Sequence, residues 1–184
     1  CETESAFLAQ YMADNGYIVV APRHQDADCQ RMSGMRQNGL QTMRSGKSIR
    51  PEESFRAPRV WTDKIEKDRR EDVLFAVSSL LDDRQYKNYV DTDHMGLMGQ
   101  ELGGYTVLGT AGGWKAWRDA RFKAVAAYAP YTEPYLMNRG LSRIRIPVLL
   151  QEGSRTRGYV PDSPYKKTAA YGYAQAPNII SSWT

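Results

Sequence analysis

The sequence predicts an α/β fold in which helices flank a mainly parallel sheet. Short apolar runs of strand length alternate with segments of helical period, and one run leads directly into a glycine-rich turn and a helix. Such alternation favours parallel strands joined by right-handed crossovers. The chain has 184 residues, 41% hydrophobic and 25% charged, so we expect one globular domain spanning residues 1–184. The predicted strands are Tyr17–Ala21, Met95–Met98, Lys123–Ala129 and Ile146–Gln151.

The chain opens with a predicted helix, because the apolar residues between Ala6 and Met12 are spaced to form one stripe. Gly16 is a typical helix stop. The run Tyr17–Ala21 follows and ends at Pro22. A run that is apolar on both faces is typical of a parallel strand covered by helices on both sides.

Residues 23–57 are rich in Gln, Arg, Gly, Met and Ser and show no sustained period, which predicts a long basic loop or lid. Residues 31–70 hold eleven Lys or Arg against five Asp or Glu, within a chain of net charge +4. Basic stretches can attract nucleic acid or anionic lipid. Because no nucleic-acid-binding pattern accompanies this one, we interpret it as solvated surface and predict no nucleic-acid partner.

The helical period returns from Val60 to Leu81, and a polar loop leads to the strand Met95–Met98. A second helix is predicted over Leu102–Ala111, with Trp114 and Trp117 as core or rim residues on or just after it. No apolar run approaches the roughly 20 residues that a membrane span needs, so no span is predicted.

The turn Gly99-Gln100-Glu101-Leu102-Gly103-Gly104 joins this strand to this helix. Small residues on both sides of Glu101 permit a sharp turn, the geometry of a nucleophile elbow that presents one side chain at the top of a sheet. The backbone N–H of Leu102 would then act as an oxyanion donor, with the helix dipole behind it. A nucleotide-binding loop would need Gly-x-Gly-x-x-Gly or a Walker lysine, and neither is present, so no cofactor is predicted.

The segment Asp93–Thr106 resembles the elbow of α/β-hydrolases, and most of all that of dienelactone-hydrolase-like and platelet-activating-factor-acetylhydrolase-like serine esterases, which reads Gly-His-Ser-x-Gly-Gly. Three other segments also resemble this family. Leu8–Pro22 resembles the helix and strand before the elbow, and Arg121–Pro130 resembles the strand after it. Ile146–Gly153 resembles the strand that carries the catalytic acid. The resemblance implies a carboxylic-ester hydrolase scaffold for a small or medium acyl ester. Its site would be marked by Gln100, Glu101 and Leu102.

The chain departs from this family at all three catalytic positions. Glu101 stands where the serine nucleophile is expected, and its negative charge opposes formation of an oxyanion. Thr156 stands at the acid position, for which Asp162 is a possible substitute. A histidine base is expected near the C-terminus, whereas the two histidines are His24, after the first strand, and His94, before the elbow strand.

Both ends of the chain look cut by comparison with the family pattern. The family's oxyanion-loop strand would lie before Cys1. The tail Asn178–Thr184 would match the loop of the family's histidine, with Ile180 near its place, and the strand that normally precedes this loop is predicted to be absent.

Three functions remain open. The chain is a carboxylic-ester hydrolase scaffold with a small ester-like ligand, a non-catalytic binding or structural protein on that scaffold, or an enzyme that uses Glu101 as acid and base. The loss of all three triad residue types predicts an inactive chain as written.

Smaller clusters have structural interpretations that we favour. His24, Asp26, Asp28 and Cys29 could bind a metal, but a solvated loop is the simpler interpretation and no metal site is predicted. Cys1 and Cys29 permit one disulfide without requiring it. A group of tyrosines in the last third could line a pocket, although packing is favoured: Tyr128, Tyr131, Tyr135, Tyr159, Tyr165, Tyr171 and Tyr173.

Overall fold

The structure, a computed structural model, describes residues 6–24, 55–152 and 179–183. The chain divides into two compact units. Unit 1 comprises Cys1–Glu52 and Glu71–Val90, and unit 2 comprises Glu53–Arg70 and Asp91–Thr184. That residues 1–184 act as one domain stays a prediction, as does the lid over 23–57, most of which lies outside the described residues.

Helix α1, Ala6–Asp14, belongs to unit 1 and confirms the predicted first helix. Gly16 ends it with φ +86°. The Tyr17 N–H donates to Met12 O (3.1 Å) and the Gly16 N–H to Ala13 O (3.0 Å). These two bonds form a Schellman motif, which satisfies carbonyls that the last helical turn leaves unpaired.

The predicted strand Tyr17–Ala21 is wrong. These residues have no regular secondary structure, and Tyr17 through Val20 are each exposed by 38–58%. A strand needs a hydrogen-bonded neighbour as well as β-branched side chains. None of the strands in the described residues pairs with this run, so its propensity alone does not make it a strand.

Helix α2, Lys67–Asp82, confirms the second helical segment but begins later than Val60. Residues Pro58–Val60 form a separate 3₁₀ turn. Glu66, with φ +59°, lies immediately before α2. A positive φ is incompatible with a continuing right-handed helix, so α2 cannot extend back through Glu66. The apolar spacing in the sequence continues across this position and does not reveal the break.

In the part of the chain that the structure describes, four parallel strands form a sheet in the order β1-β2-β3-β4. They are β1, Met95–Gln100; β2, Phe122–Tyr128; β3, Val148–Glu152; and β4, Ile179–Trp183. Together with the helices they make the α/β fold that the sequence predicts, and three of the four predicted strands are confirmed with small shifts at their ends. Leu97 pairs with Val125, and Val125 pairs with Val148.

The C-terminal tail contains a strand that was not predicted. From the sequence, the tail was expected to match the family's histidine loop, with the strand before that loop absent. Ile179–Trp183 is β4 and pairs in parallel with β3, Val148 opposite Ile179. The segment has five residues, and its apolar ones, Ile179, Ile180 and Trp183, do not alternate with polar residues, so the sequence carries no clear strand pattern there. Backbone pairing with β3, which is distant in the chain, makes this segment a strand.

Two short helices follow the strands of unit 2: α3, Leu102–Leu108, after β1, and α4, Glu133–Met137, after β2. The helix predicted over Leu102–Ala111 changes at Gly109 into a π-helical segment, Gly109–Gly113. A Cβ at Gly109 would lie 2.5 Å from Trp117 Cε3 and 2.7 Å from the Tyr135 hydroxyl. The backbone thus approaches two aromatic rings where the helix type changes. The apolar pattern of the sequence does not predict this change.

The core of unit 2 is dominated by aromatic side chains that also form hydrogen bonds. Tyr105 stacks on Tyr135 with ring centroids 5.1 Å apart, and Trp117 meets Tyr105 edge-on at 5.6 Å. Trp114 Nε1 donates to the Tyr105 hydroxyl (2.8 Å), and the Tyr135 hydroxyl donates to Tyr105 O (2.6 Å). The expectation that Trp114 and Trp117 pack in the core is confirmed.

Candidate functional site

Glu101 lies between β1 and α3 with φ +53° and ψ −115°. Its N–H donates to Tyr128 O (2.9 Å), which extends the pairing of β1 with β2 by one bond. Its carbonyl accepts from Tyr105 N (3.0 Å) and Tyr131 N (3.3 Å). The residue therefore sits at a strand–helix junction in a strained conformation that hydrogen bonds hold on both sides, as the sequence predicts.

Two of the three glycines in this turn are sterically required. A Cβ at Gly99 would overlap the Gly103 carbonyl and lie 2.9 Å from Gly104 N. A Cβ at Gly104 would lie 2.6 Å from Pro130 Cβ and 2.9 Å from Pro130 Cα. A Cβ at Gly103 would meet nothing within 4 Å. The tightness of the turn thus depends on Gly99 and Gly104.

We expect Glu101→Gly to be more stable than Glu101→Ala by about 1 kcal/mol. Both variants remove the carboxylate, but only glycine adopts a positive φ without a steric cost of about 1–3 kcal/mol. Part of that gain is offset by the greater freedom of glycine in the unfolded chain. Urea unfolding followed by circular dichroism measures the difference. Equal midpoints for the two variants would show that the backbone at residue 101 is not strained.

The side chains at the predicted site differ in exposure. Glu101 and Gln100 are exposed, so the described residues do not enclose the cleft expected around Glu101. Leu102 is buried and is the first residue of α3. Its amide is among the N–H groups that a helix leaves without an intrahelical acceptor. The roles of Gln100, Glu101 and Leu102 in binding or catalysis stay predictions.

His94 is separated from Glu101 by the whole of β1. It precedes Met95, and its exposed ring bonds Asp91 Oδ2 through Nδ1 at 2.7 Å. Six strand residues rise by roughly 20 Å, so His94 lies at the opposite end of β1 from the turn. The hydrogen bond to His94 is the main cause that lowers the pKa of Asp91.

His24 belongs to unit 1, where its Nδ1 lies 2.7 Å from Asp72 Oδ2 and its ring is largely buried. Asp72 lies on α2, and no local pattern in the sequence predicts its pairing with His24. The proposed acid positions Thr156 and Asp162, the metal candidates Asp26, Asp28 and Cys29, Cys1, and the tyrosines from Tyr159 onwards lie outside the described residues. Within those that are described, no group of three His, Cys, Asp or Glu could hold a metal ion.

The tyrosines beside the turn belong to the core. Tyr105, Tyr131 and Tyr135 are buried, which confirms packing for the two of them that the sequence singled out. Burial raises the pKa of each hydroxyl above its ordinary value. They remain protonated at neutral pH and serve as hydrogen-bond donors rather than as bases. Tyr105 was not among the tyrosines singled out from the sequence. Its position four residues after Glu101, on the first turn of α3, could have indicated that it lies beside the turn.

Comparison with known proteins finds a distant structural likeness and no match to a family model or a curated protein. Among solved structures, it is similar to an acylaminoacyl peptidase of Pyrococcus horikoshii, with 11% identity and a TM-score of 0.42. The match covers 62% of this chain and 22% of the peptidase. None of the helices in the described ranges is long and apolar enough to cross a membrane. The described strands and helices themselves show an α/β fold with a parallel sheet flanked by helices.

Proposed function

We propose that this chain is an α/β-hydrolase scaffold, related to carboxylic-ester hydrolases, that does not hydrolyse esters by acyl transfer. The observation that carries the proposal is the conformation of Glu101, held with φ +53° between a parallel strand and a helix. This is where such scaffolds place a nucleophile. The dienelactone-hydrolase-like character rests on the sequence resemblance of Asp93–Thr106.

The chemistry of residue 101 supports the absence of turnover. Acyl transfer at an elbow needs a neutral hydroxyl and a histidine that takes its proton. Glu101 places a carboxylate where negative charge would develop in the transition state, and repulsion between the two raises the barrier. His94, at the far end of β1, cannot reach this position.

A Glu101-based acid and base mechanism is less well supported. A carboxyl group acts as a general acid near neutral pH when an apolar, dry pocket stabilises its neutral form. The side chain of Glu101 is exposed, so the described residues do not enclose it in such a pocket. A non-catalytic protein that binds a small ester-like ligand at the turn is consistent with the same geometry and is the form of the proposal we favour.

The expected result of a steady-state assay with a nitrophenyl ester is little or no hydrolysis by the purified chain. Glu101→Ser alone should restore little, because the base and the acid would still be missing. Loss of a complete triad lowers turnover by about a million-fold in a well-measured protease. Glu101→Ala is the matched control, since it removes the charge without adding a hydroxyl.

Robust hydrolysis that Glu101→Ala abolishes would contradict the proposal and favour Glu101 as the acid and base. Hydrolysis that persists equally in Glu101→Ala would place the activity elsewhere in the chain. Circular dichroism of each variant checks that the comparison is made between folded proteins.

A further inference from the structure

Unit 1 contains a groove of about 530 Å³ between the segment after α1 and the exposed face of α2. Its walls are largely apolar and include Val20, Phe75, Leu80 and Tyr86. Phe75 is 75% exposed and therefore presents most of its ring to solvent. Sites for small molecules commonly have volumes of roughly 300–1,000 Å³ and apolar walls with a few polar groups that fix orientation.

Three charged residues line this groove, and two of them are already engaged. Asp72 is paired with His24 through Oδ2. Asp83 Oδ1 accepts from the backbone N–H groups of Gln85 (2.7 Å) and Tyr86 (3.1 Å). The third is Arg23, whose guanidinium makes no hydrogen bond or ion pair with the residues that the structure describes. The groove therefore offers an apolar wall beside one available cation.

We propose that this groove binds a small carboxylic acid with an aryl or alkyl body. Arg23 pairs with the carboxylate, since a planar guanidinium matches two carboxylate oxygens with parallel N–H···O bonds. The body of the ligand covers Phe75 and Leu80, which removes apolar surface from water. An amine is disfavoured beside Arg23 because like charges repel, and Asp72 is already paired with His24. The site uses none of the residues of the Glu101 turn and does not depend on the function proposed for it.

Four probes of graded chemistry test the proposal on the unaltered chain by isothermal titration calorimetry. They are 3-phenylpropionate, its amide, 3-phenylpropylamine and acetate. We expect saturable binding of 3-phenylpropionate at least about tenfold tighter than that of the amide, and weaker binding still for acetate, which lacks the body. The proposal is overturned if the amine or the amide binds as tightly as the acid, or if the acid does not bind.

Three variants locate the site. Arg23→Gln should reduce the affinity for the acid to that for the amide and leave the amide unchanged. Ala76→Phe, in the wall of the groove, should weaken the acid and the amide alike. Arg84→Gln is the matched control, because it removes an exposed cation that does not line the groove. If Arg84→Gln weakens the acid as much as Arg23→Gln, the interaction is general attraction to positive charge and the assignment of Arg23 is wrong.

Discussion

Gly104→Ala should destabilise the chain by about 2–3 kcal/mol, whereas Gly103→Ala should leave it unchanged or slightly more stable. The added methyl at residue 104 would lie 2.6 Å from Pro130 Cβ and 2.9 Å from Pro130 Cα. A proline backbone cannot move away easily, and overpacking of this kind typically costs 1–3 kcal/mol, occasionally more. The methyl at residue 103 meets nothing within 4 Å, and alanine favours a helix over glycine by roughly 1 kcal/mol.

The two variants are matched, since they make the same chemical change at adjacent residues of α3. Urea unfolding monitored by circular dichroism gives the midpoint of each. Similar midpoints would show that α3 does not pack against Pro130 as closely as described, and the account of the turn as a tight strand–helix junction would lose its steric basis.

Trp117→Ala should cost about 3–5 kcal/mol, the largest effect of a single truncation that we expect. Trp117 is 2% exposed, contacts Tyr105 edge-on and donates from Nε1 to Asp63 O at 2.7 Å. Truncation leaves a large cavity and removes the donor from a backbone carbonyl that is partly shielded from water. With a stability of 5–15 kcal/mol for ordinary domains, a loss of this size removes much of the total.

Two further variants separate the causes. Trp117→Phe keeps most of the ring but lacks the N–H donor, so it should cost less than Trp117→Ala. Phe7→Ala truncates an aromatic residue that is 77% exposed and should change stability by no more than about 0.5 kcal/mol. If Trp117→Ala unfolds at the same urea concentration as Phe7→Ala, Trp117 does not support the core.

The elements that the sequence predicts well are those with a strong local signal. Gly16 follows a helical apolar stripe, and the strand predicted at Met95–Met98 runs directly into the glycine-rich turn at Glu101. The wrong predictions concern partners that are distant in the chain. Tyr17–Ala21 has the residues of a strand but no described neighbour, and Ile179–Trp183 has a weak pattern but pairs with β3.

In the candidate site, too, local features could be predicted from the sequence and contacts between distant residues could not. The backbone strain at Glu101 could be predicted because the glycines that permit it are adjacent in sequence. The separation of His94 from the turn also follows from chain order along one strand. By contrast, the pairing of His24 with Asp72 joins residues 48 positions apart, and the groove beside it depends on which face of α2 is exposed. Neither leaves a local pattern in the sequence.

The segment before α2 is held in unit 2 through its carbonyl oxygens. Tyr131, Trp117 and Tyr105 donate from their side chains to the carbonyls of Phe55, Asp63 and Ile65, respectively. Every residue type carries such a carbonyl, so these bonds do not depend on the side chain at the accepting position. Asp63 could therefore change during evolution without loss of its bond to Trp117, whereas the three aromatic donors could not be replaced as freely. The path of this segment is therefore encoded partly by aromatic donors elsewhere in the chain, in addition to its own buried Trp61.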